Sequence, residues 1–315
     1  MAHPLTFAGP HLLSLALSLA AAAGLGVQAF APLGGGGGAA PHQPAAPQDP
    51  AQDAPGPQLP GAREAAEALE RAFRDAGVQL DHAAGVAAFR ASIAVRDDLL
   101  EYLLVNPHGA VHEALFVTQA PAEVLNAALL ALGAERGTNV AYVPKDPPPS
   151  EAEQRAGVRA FDVVPPQGAG VYLYAAWRED GETYFYRVED LVRDLERGRT
   201  LRRHAWVYLG SRWNTAQRPG AVPQFAATAE GNLVCITFFS QGNTLLTTAV
   251  PECVSQTTWL PNGWLLPEAG AEVQLFVARA PLLAPPASLA ASVPAVTGAA
   301  LEPPAGAAEP AGPGR

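Results

Sequence analysis

Cysteine is scarce in this sequence: Cys235 and Cys253 are the only two among 315 residues. Two thiols are too few for the disulfide framework that stabilises many small secreted domains. One chain with two thiols also cannot supply the four cysteine ligands of a typical iron–sulfur cluster. Both classes are therefore excluded, and we expect no iron–sulfur cofactor.

Positive charge is scarce as well. Twenty Lys and Arg against 30 Asp and Glu give a formal net charge of −10, and Lys145 is the only lysine. Nonspecific binding of nucleic acid depends on cations that displace counterions from phosphates. The charge balance therefore argues against a nucleic-acid partner, and we interpret the excess of arginine over lysine as a compositional bias.

No charged residue precedes Asp49. Within this uncharged start, residues 11–25 form an apolar run of signal-peptide length, and Ala29-Phe30-Ala31 has the A-x-A pattern of a cleavage site. The absence of Lys and Arg near the start and the presence of Pro32 depart from the usual pattern. We expect a cleaved signal peptide and export to the periplasm or the extracellular space. The alternative is an uncleaved membrane anchor with the domain outside the cytoplasm.

Two segments of low complexity enclose the rest of the chain. Residues 32–60 are built from Pro, Gly, Ala and Gln, and residues 281–315 from Ala, Pro and Gly. Such segments bury too little apolar surface to offset the entropy of ordering them. The predicted organisation is a signal peptide or anchor (1–31), a disordered linker (32–60), one folded domain (61–280) and a disordered tail (281–315).

The folded region mixes helical and strand-like patterns. Apolar positions at helical spacing predict amphipathic helices over 62–76 and 121–132, and residues 189–197 favour a third. Strand-like runs cover 86–95, 99–105, 111–118, 161–164, 170–178, 183–188, 206–209, 225–228, 233–239, 244–250 and 273–278. The turn at Asn106-Pro107-His108-Gly109 predicts an antiparallel hairpin between two of these runs. We therefore expect a single α+β domain with a largely antiparallel sheet and two or three helices.

Several segments carry a family resemblance by their order and spacing. They are residues 99–105, 111–118, 121–133, 189–191, 206–211, 230–233, 259–262 and 272–277. Together they resemble the YdjY-type domain, a bacterial family of largely unassigned function, over about residues 62–280. The resemblance implies no catalytic residue. Some relatives carry an iron–sulfur designation that rests on cysteine clusters, which this sequence lacks.

His112-Glu113 is the pair of residues most suggestive of chemistry. The metalloprotease motif HExxH requires a second histidine at i+4, and Phe116 stands there, so that interpretation fails. On a predicted strand the two side chains point to opposite faces. His112 therefore either hydrogen-bonds within the sheet or joins His108 and Glu101 in a weak metal site.

The two cysteines leave a disulfide open. If Gln241-Gly242 forms the turn of a hairpin, Cys235 faces Thr248, and Cys253 lies roughly 16 Å further along the strand. A disulfide requires Cα atoms within about 7 Å of each other, so the chain would have to double back after Pro251. Export favours oxidation, and both a Cys235–Cys253 disulfide and two free thiols remain as alternatives.

Two further groups of residues have competing interpretations. The arginines at 197, 199, 202 and 203 either bind an anion or form a solvated face. The five tryptophans either form a binding platform or pack in the core and its rim. No complete catalytic motif is found, so we expect an exported, non-catalytic interaction or binding module. The alternative is an envelope metal or redox-binding protein, or an enzyme, that uses His112 and its neighbours.

Overall fold

The computed structural model describes residues 61–214 and 222–296. The predicted signal peptide or anchor, the linker and the end of the tail lie outside these residues. The described residues from 73 on belong to one compact unit. Within the described residues no helix has the length and hydropathy needed to span a bilayer.

Five short helices are present in the described part of the chain. They are α1 (Ala62–Asp75), α2 (Ala122–Ala131), α3 (Glu151–Arg155), α4 (Ala226–Glu230) and α5 (Ala287–Ala290). Three single 3₁₀ turns accompany them, at Val111–Glu113, Val188–Leu191 and Pro251–Val254. The predicted helices over 62–76 and 121–132 are confirmed as α1 and α2. Gly77 follows α1 with a positive φ of 65°, the left-handed geometry that ends many helices.

Eight strands form a closed barrel. In order around the barrel they are β2 (Val86–Ile93), β17 (Glu272–Ala278), β7 (Gly170–Glu179), β11 (Trp206–Tyr208), β15 (Leu246–Thr247), β14 (Asn232–Cys235), β3 (Tyr102–Val105) and β4 (Ala114–Val117). The last strand returns to the first, because Ser92 pairs with Val117 and Ile93 with Phe116.

The remaining strands lie beside or outside this ring. They are β1 (Gln79–Asp81), β5 (Ala141–Pro144), β6 (Phe161–Val164), β8 (Glu182–Arg187), β9 (Val192–Asp194), β10 (Arg199–Thr200), β12 (Trp213–Asn214), β13 (Gln224–Phe225) and β16 (Trp259–Pro261). β1 extends the sheet beyond β2, and β8 pairs with β7. The others form three small sheets, β10-β9-β16, β12-β13 and β5-β6.

The expectation of an α+β domain with a largely antiparallel sheet was wrong. The fold is mostly β: a closed, mixed barrel in which β3 pairs with β4, and β14 with β15, in parallel. The predicted hairpin fails because the chain turns twice between β3 and β4. The Gly109 amide donates to the Asn106 carbonyl as predicted, but a second, 3₁₀ turn at Val111–Glu113 then reverses the chain again.

The barrel interior is an apolar core covered by α2. Leu125 and Leu129 of α2 line the same small cavity, of about 30 Å³, as Phe89 of β2 and Leu275 of β17. A buried hydrogen bond ties this helix to the wall, since the Tyr208 hydroxyl donates to Asn126 Oδ1 at 2.6 Å. The helix therefore forms part of the core rather than a peripheral layer.

Part of the predicted disordered tail is ordered. Residues 281–296 lie against the outside of the barrel, where Leu289 and Val293 are buried with Val86, Tyr174 and Phe276. The end of this segment is fixed to β7, because the amide of Val296 donates to the carbonyl of Arg178 at 2.7 Å. Scattered leucines and valines within an Ala/Pro-rich sequence are enough to bury one face of the segment.

Candidate functional site

The structure places Glu101, His112 and Glu113 near one another. Because Val111–Glu113 is a 3₁₀ turn and not a strand, the two adjacent side chains do not point to opposite faces, and His112 Nε2 lies 4.0 Å from Glu113 Oε2. Partial burial and the neighbouring Glu113 carboxylate raise the pKa of Glu101, while His112 opposes that rise. His112 itself is exposed to solvent.

His108 is engaged elsewhere. Its Nε2 lies 2.8 Å from the carbonyl oxygen of Thr228, at α4. Across the described residues, no group of three His, Cys, Asp or Glu side chains is placed to hold one metal ion. The metal site suggested for Glu101, His108 and His112 stays a prediction.

Both cysteines are buried, free thiols in this structure. Cys235 Sγ lies 3.4 Å from the hydroxyl of Thr244. The hairpin assumed around Gln241-Gly242 was wrong, because β14 and β15 run parallel, with Cys235 opposite Thr247. The 3₁₀ turn at Pro251–Val254 does bring the chain back, and the Cys253 carbonyl accepts the amide of Phe238. A Cys235–Cys253 disulfide remains a prediction.

Every arginine of the suspected anion-binding cluster has an acidic partner. The ion pairs are Arg197–Asp194, Arg199–Glu252, Arg202–Glu252 and Arg203–Asp190, with N···O distances of 2.6–3.0 Å. The predicted helix over 189–197 was wrong; this region is a 3₁₀ turn followed by β9. The cluster thus carries its own counterions.

The tryptophans separate into core and surface. Trp177, Trp206 and Trp259 are fully buried, whereas Trp213 is 51% and Trp264 90% exposed. The interpretation as core and rim packing therefore describes three of them well. Trp213 lies on β12 and Trp264 in the turn after β16, and their rings are not stacked on each other.

A buried polar cluster was not anticipated from the sequence. The Glu189 carboxylate, fully buried, accepts hydrogen bonds from Arg187 Nε (3.0 Å) and Trp206 Nε1 (3.1 Å). It also accepts the amide of His204 at 3.3 Å. β7 pairs with β8 along one part of its length and with β11 along another, and these residues lie where the partner changes. The cluster therefore fills the space between β8 and β11. No sequence motif marks it, because its members come from three elements.

A second feature missed by the sequence is a two-stranded ribbon outside the barrel, formed by β5 and β6. The sequence predicts a strand at 161–164, which is confirmed, but not its partner β5. Tyr142 pairs with Val163 and Pro144 with Phe161. The β-branched and aromatic residues of β5 carry a weak strand signal, which the prolines after it obscure.

The ribbon exposes apolar side chains on both faces. Val143 is 48% and Val164 40% exposed on one face, and Tyr142 and Phe161 are more than one-third exposed on the other. The two rings pack edge to face with their centroids 5.1 Å apart. A two-stranded ribbon is only marginally stable by itself, and exposed apolar clusters typically mark binding surfaces.

Along the edge of β6 that faces away from β5, backbone groups have no hydrogen-bond partner within the described residues, although the 3₁₀ turn at Pro251–Val254 lies close to this strand. The Lys145 amide donates to the Ala160 carbonyl, so these two residues form a hydrogen-bonded pair. Hydrogen-bonded and non-hydrogen-bonded pairs alternate along an antiparallel ribbon, so the next hydrogen-bonded pair is Val143 with Asp162. Phe161 and Val163 fall at the positions whose N–H and C=O groups point away from β5. Neither residue makes another backbone hydrogen bond within the described residues.

Comparison with known proteins identifies the family. The family model of the YdjY domain matches residues 78–278, well over half of the chain, and so the chain belongs to this family. The match begins just after α1 and ends with β17, so it covers the whole barrel and the ribbon. No curated protein and no solved structure matches the chain.

Proposed function

We propose that this YdjY-domain protein is an exported, non-catalytic interaction module that binds a partner protein through the β5–β6 ribbon. The observation that carries the proposal is the exposure of apolar side chains on both faces of a ribbon that lies outside the barrel core. Apolar surface of this kind is costly to leave in water and becomes favourable when a partner covers it.

The N-terminal sequence supports the export half of the proposal. An apolar run followed by Ala29-Phe30-Ala31 is typical of signal peptides, and a Pro/Gly/Ala linker would separate the domain from the cleavage point. Cell fractionation together with the mass of the mature protein tests this half. A full-length chain recovered from the cytoplasm contradicts it.

Site-specific photocrosslinking in the exporting bacterium tests the ribbon. A benzophenone side chain replaces Val143 or Val164 in separate variants, and Leu283, which is fully exposed on the C-terminal segment, serves as the matched control. We expect the same discrete adduct from both ribbon positions and none from position 283. No adduct from the ribbon, or an identical adduct from all three positions, overturns the proposal.

A further inference from the structure

The backbone groups along the edge of β6 are spaced to pair with an extended partner segment. The N–H and C=O groups of Phe161 and Val163 repeat every second residue, about 7 Å apart, which matches the spacing of hydrogen-bonding groups along another strand. A helix satisfies its own backbone groups and cannot offer this pattern. The chemistry of the edge therefore specifies a β-strand.

The two edges of the ribbon are not equivalent. On β5 the outward-pointing positions are Tyr142 and Pro144, and proline has no N–H to donate. Three prolines, at 147–149, follow shortly after β5. β6 contains no proline between residues 161 and 164, and Pro165 and Pro166 follow it directly. Proteins often block sheet edges with proline, and within the ribbon only β5 loses an outward N–H in this way, whereas Phe161 and Val163 of β6 both keep theirs.

The side chains along β6 indicate which residue types a partner segment carries. Phe161 and Val163 share one face, and they offer apolar contact to alternate residues of an added strand. Arg159, two residues before Phe161, makes no ion pair within the described residues. Asp162, on the opposite face, lies 3.6 Å from Lys145. A complementary strand therefore carries an acidic residue toward Arg159, and a basic residue opposite Asp162 would add to the partner that Asp162 already has in Lys145.

A second copy of the chain fits this edge poorly. In the symmetric antiparallel register that pairs Phe161 of one copy with Val163 of the other, Asp162 stands directly opposite its own counterpart. Like charges at such a close, non-hydrogen-bonded pair are destabilising. The charge pattern thus favours a different protein over self-association.

We infer that β6 binds an extended segment of a partner protein by β-strand addition, the segment pairing with Phe161 and Val163. This inference rests on the proposed function, because it specifies how the ribbon would engage its partner.

A designed peptide tests the mode of binding on the full-length mature protein. The probe is acetyl-Thr-Val-Lys-Val-Thr-Glu-Ser-amide, whose valines are intended to pair with Val163 and Phe161, whose lysine faces Asp162 and whose glutamate faces Arg159. The matched control has N-methyl groups on both valines, so it keeps every side chain but loses the two donors. We expect saturable amide shift changes at Phe161 and Val163, and binding at least about tenfold weaker for the control, since two hydrogen bonds are lost.

Protein variants provide a second, independent comparison. Val163→Pro removes the outward N–H without removing a bond of the β5–β6 ladder, and Val163→Thr keeps that N–H. We expect the first variant to lose binding and the second to retain it. Arg159→Glu should weaken binding of the peptide. A peptide with lysine in place of its glutamate should restore binding to this variant.

The outcomes separate the inference from the proposed function. Equal binding of the N-methylated and unmodified peptides, or no binding by either, overturns strand addition even if Val163→Pro does not fold. A crosslinked adduct identified as a second copy, or as the chain's own terminal segment, overturns the choice of a different protein. If the peptide experiments contradict strand addition while positions 143 and 164 still crosslink to a partner, the proposed function stands and only the proposed mode of binding is wrong.

Discussion

At the scale of single residues, Glu189 is held by several contacts at once. It is an ionisable side chain with no solvent exposure, and its oxygens are occupied by donors from Arg187, Trp206 and the His204 backbone. Burial opposes the charge on Arg187, but the hydrogen bond and charge of Glu189 outweigh that effect, and the pKa of Arg187 is raised. A buried ion pair of this kind is costly to break from one side, because the remaining charge has no partner.

His204 gives the pH dependence of this cluster. Its Nδ1 lies 2.9 Å from the Arg202 carbonyl oxygen, so Nδ1 carries the proton and donates it, while the buried Nε2 has no partner within the described residues. Burial lowers the pKa of His204. The Glu189 carboxylate and the hydrogen bond to the Arg202 carbonyl oppose this, while the charges of Arg187 and Arg202 add to it.

The lowered pKa of His204 predicts acid destabilisation. The unfolded histidine binds a proton below about pH 6.5, where the folded one does not, so the free energy of unfolding decreases as the pH falls through that value. The slope contributed by His204 is at most about 1.4 kcal/mol per pH unit, and it ends at the lower folded pKa. We expect His204→Asn, which keeps a donor near Arg202, to remove this contribution. Urea unfolding of both proteins at about pH 7.5 and about pH 5.5 measures it. Equal changes with pH in both proteins contradict the prediction.

At the scale of elements, local sequence patterns locate most strands and helices but not their pairing. The apolar stripe of α2 and the strand pattern of β2 and β17 are visible in the sequence and are confirmed by the structure. The parallel pairing of β3 with β4 is not visible in the sequence. The turn with Pro107 and Gly109 predicts one reversal of the chain direction, and the 3₁₀ turn that follows has no strong sequence signature.

Residues 189–197 show the same limit. Their charged residues favour a helix, but Val192 and Asp194 are buried and Arg193 between them is exposed, the period-two pattern of a strand. Tertiary pairing of β9 with β16 and β10 decides the outcome there. The ribbon edge and the Glu189 cluster could not be predicted either, because each depends on which strands lie side by side.

One buried hydrogen bond, between Asn126 and Tyr208, links α2 to the barrel wall in addition to the apolar packing of the helix. Both residues are nearly inaccessible to solvent, and burial raises the pKa of the Tyr208 hydroxyl to about 12. We predict that Asn126→Ala and Tyr208→Phe each lower the free energy of unfolding by about 1 to 3 kcal/mol, because each leaves a buried polar partner unsatisfied. The double variant should cost less than the sum of the two, as measured in a double-mutant cycle by urea unfolding. Additive losses would show that the bond does not couple the helix to β11.

At the scale of the whole molecule, the folded unit extends beyond the family match. The YdjY match ends at residue 278, but residues 281–296 cover the outer face of the barrel that β2, β7 and β17 present. That face carries Val86, Tyr174 and Phe276, all nearly inaccessible to solvent beneath the segment. Without the segment, a contiguous apolar surface would face water, and soluble proteins seldom leave large surfaces of this kind exposed.

Two leucines of this segment provide a matched test of its contribution. Leu289 is 5% exposed against the barrel, whereas Leu283 is fully exposed six positions earlier. Leu289→Ala removes buried apolar surface and leaves a cavity, so we expect it to lower the free energy of unfolding by about 2 to 5 kcal/mol. Leu283→Ala should change it by less than about 0.5 kcal/mol. Urea unfolding of the full chain measures both. Equal, small effects would mean that the segment rests on the barrel without stabilising it, whereas the expected difference would place the C-terminal boundary of the folded unit near residue 296.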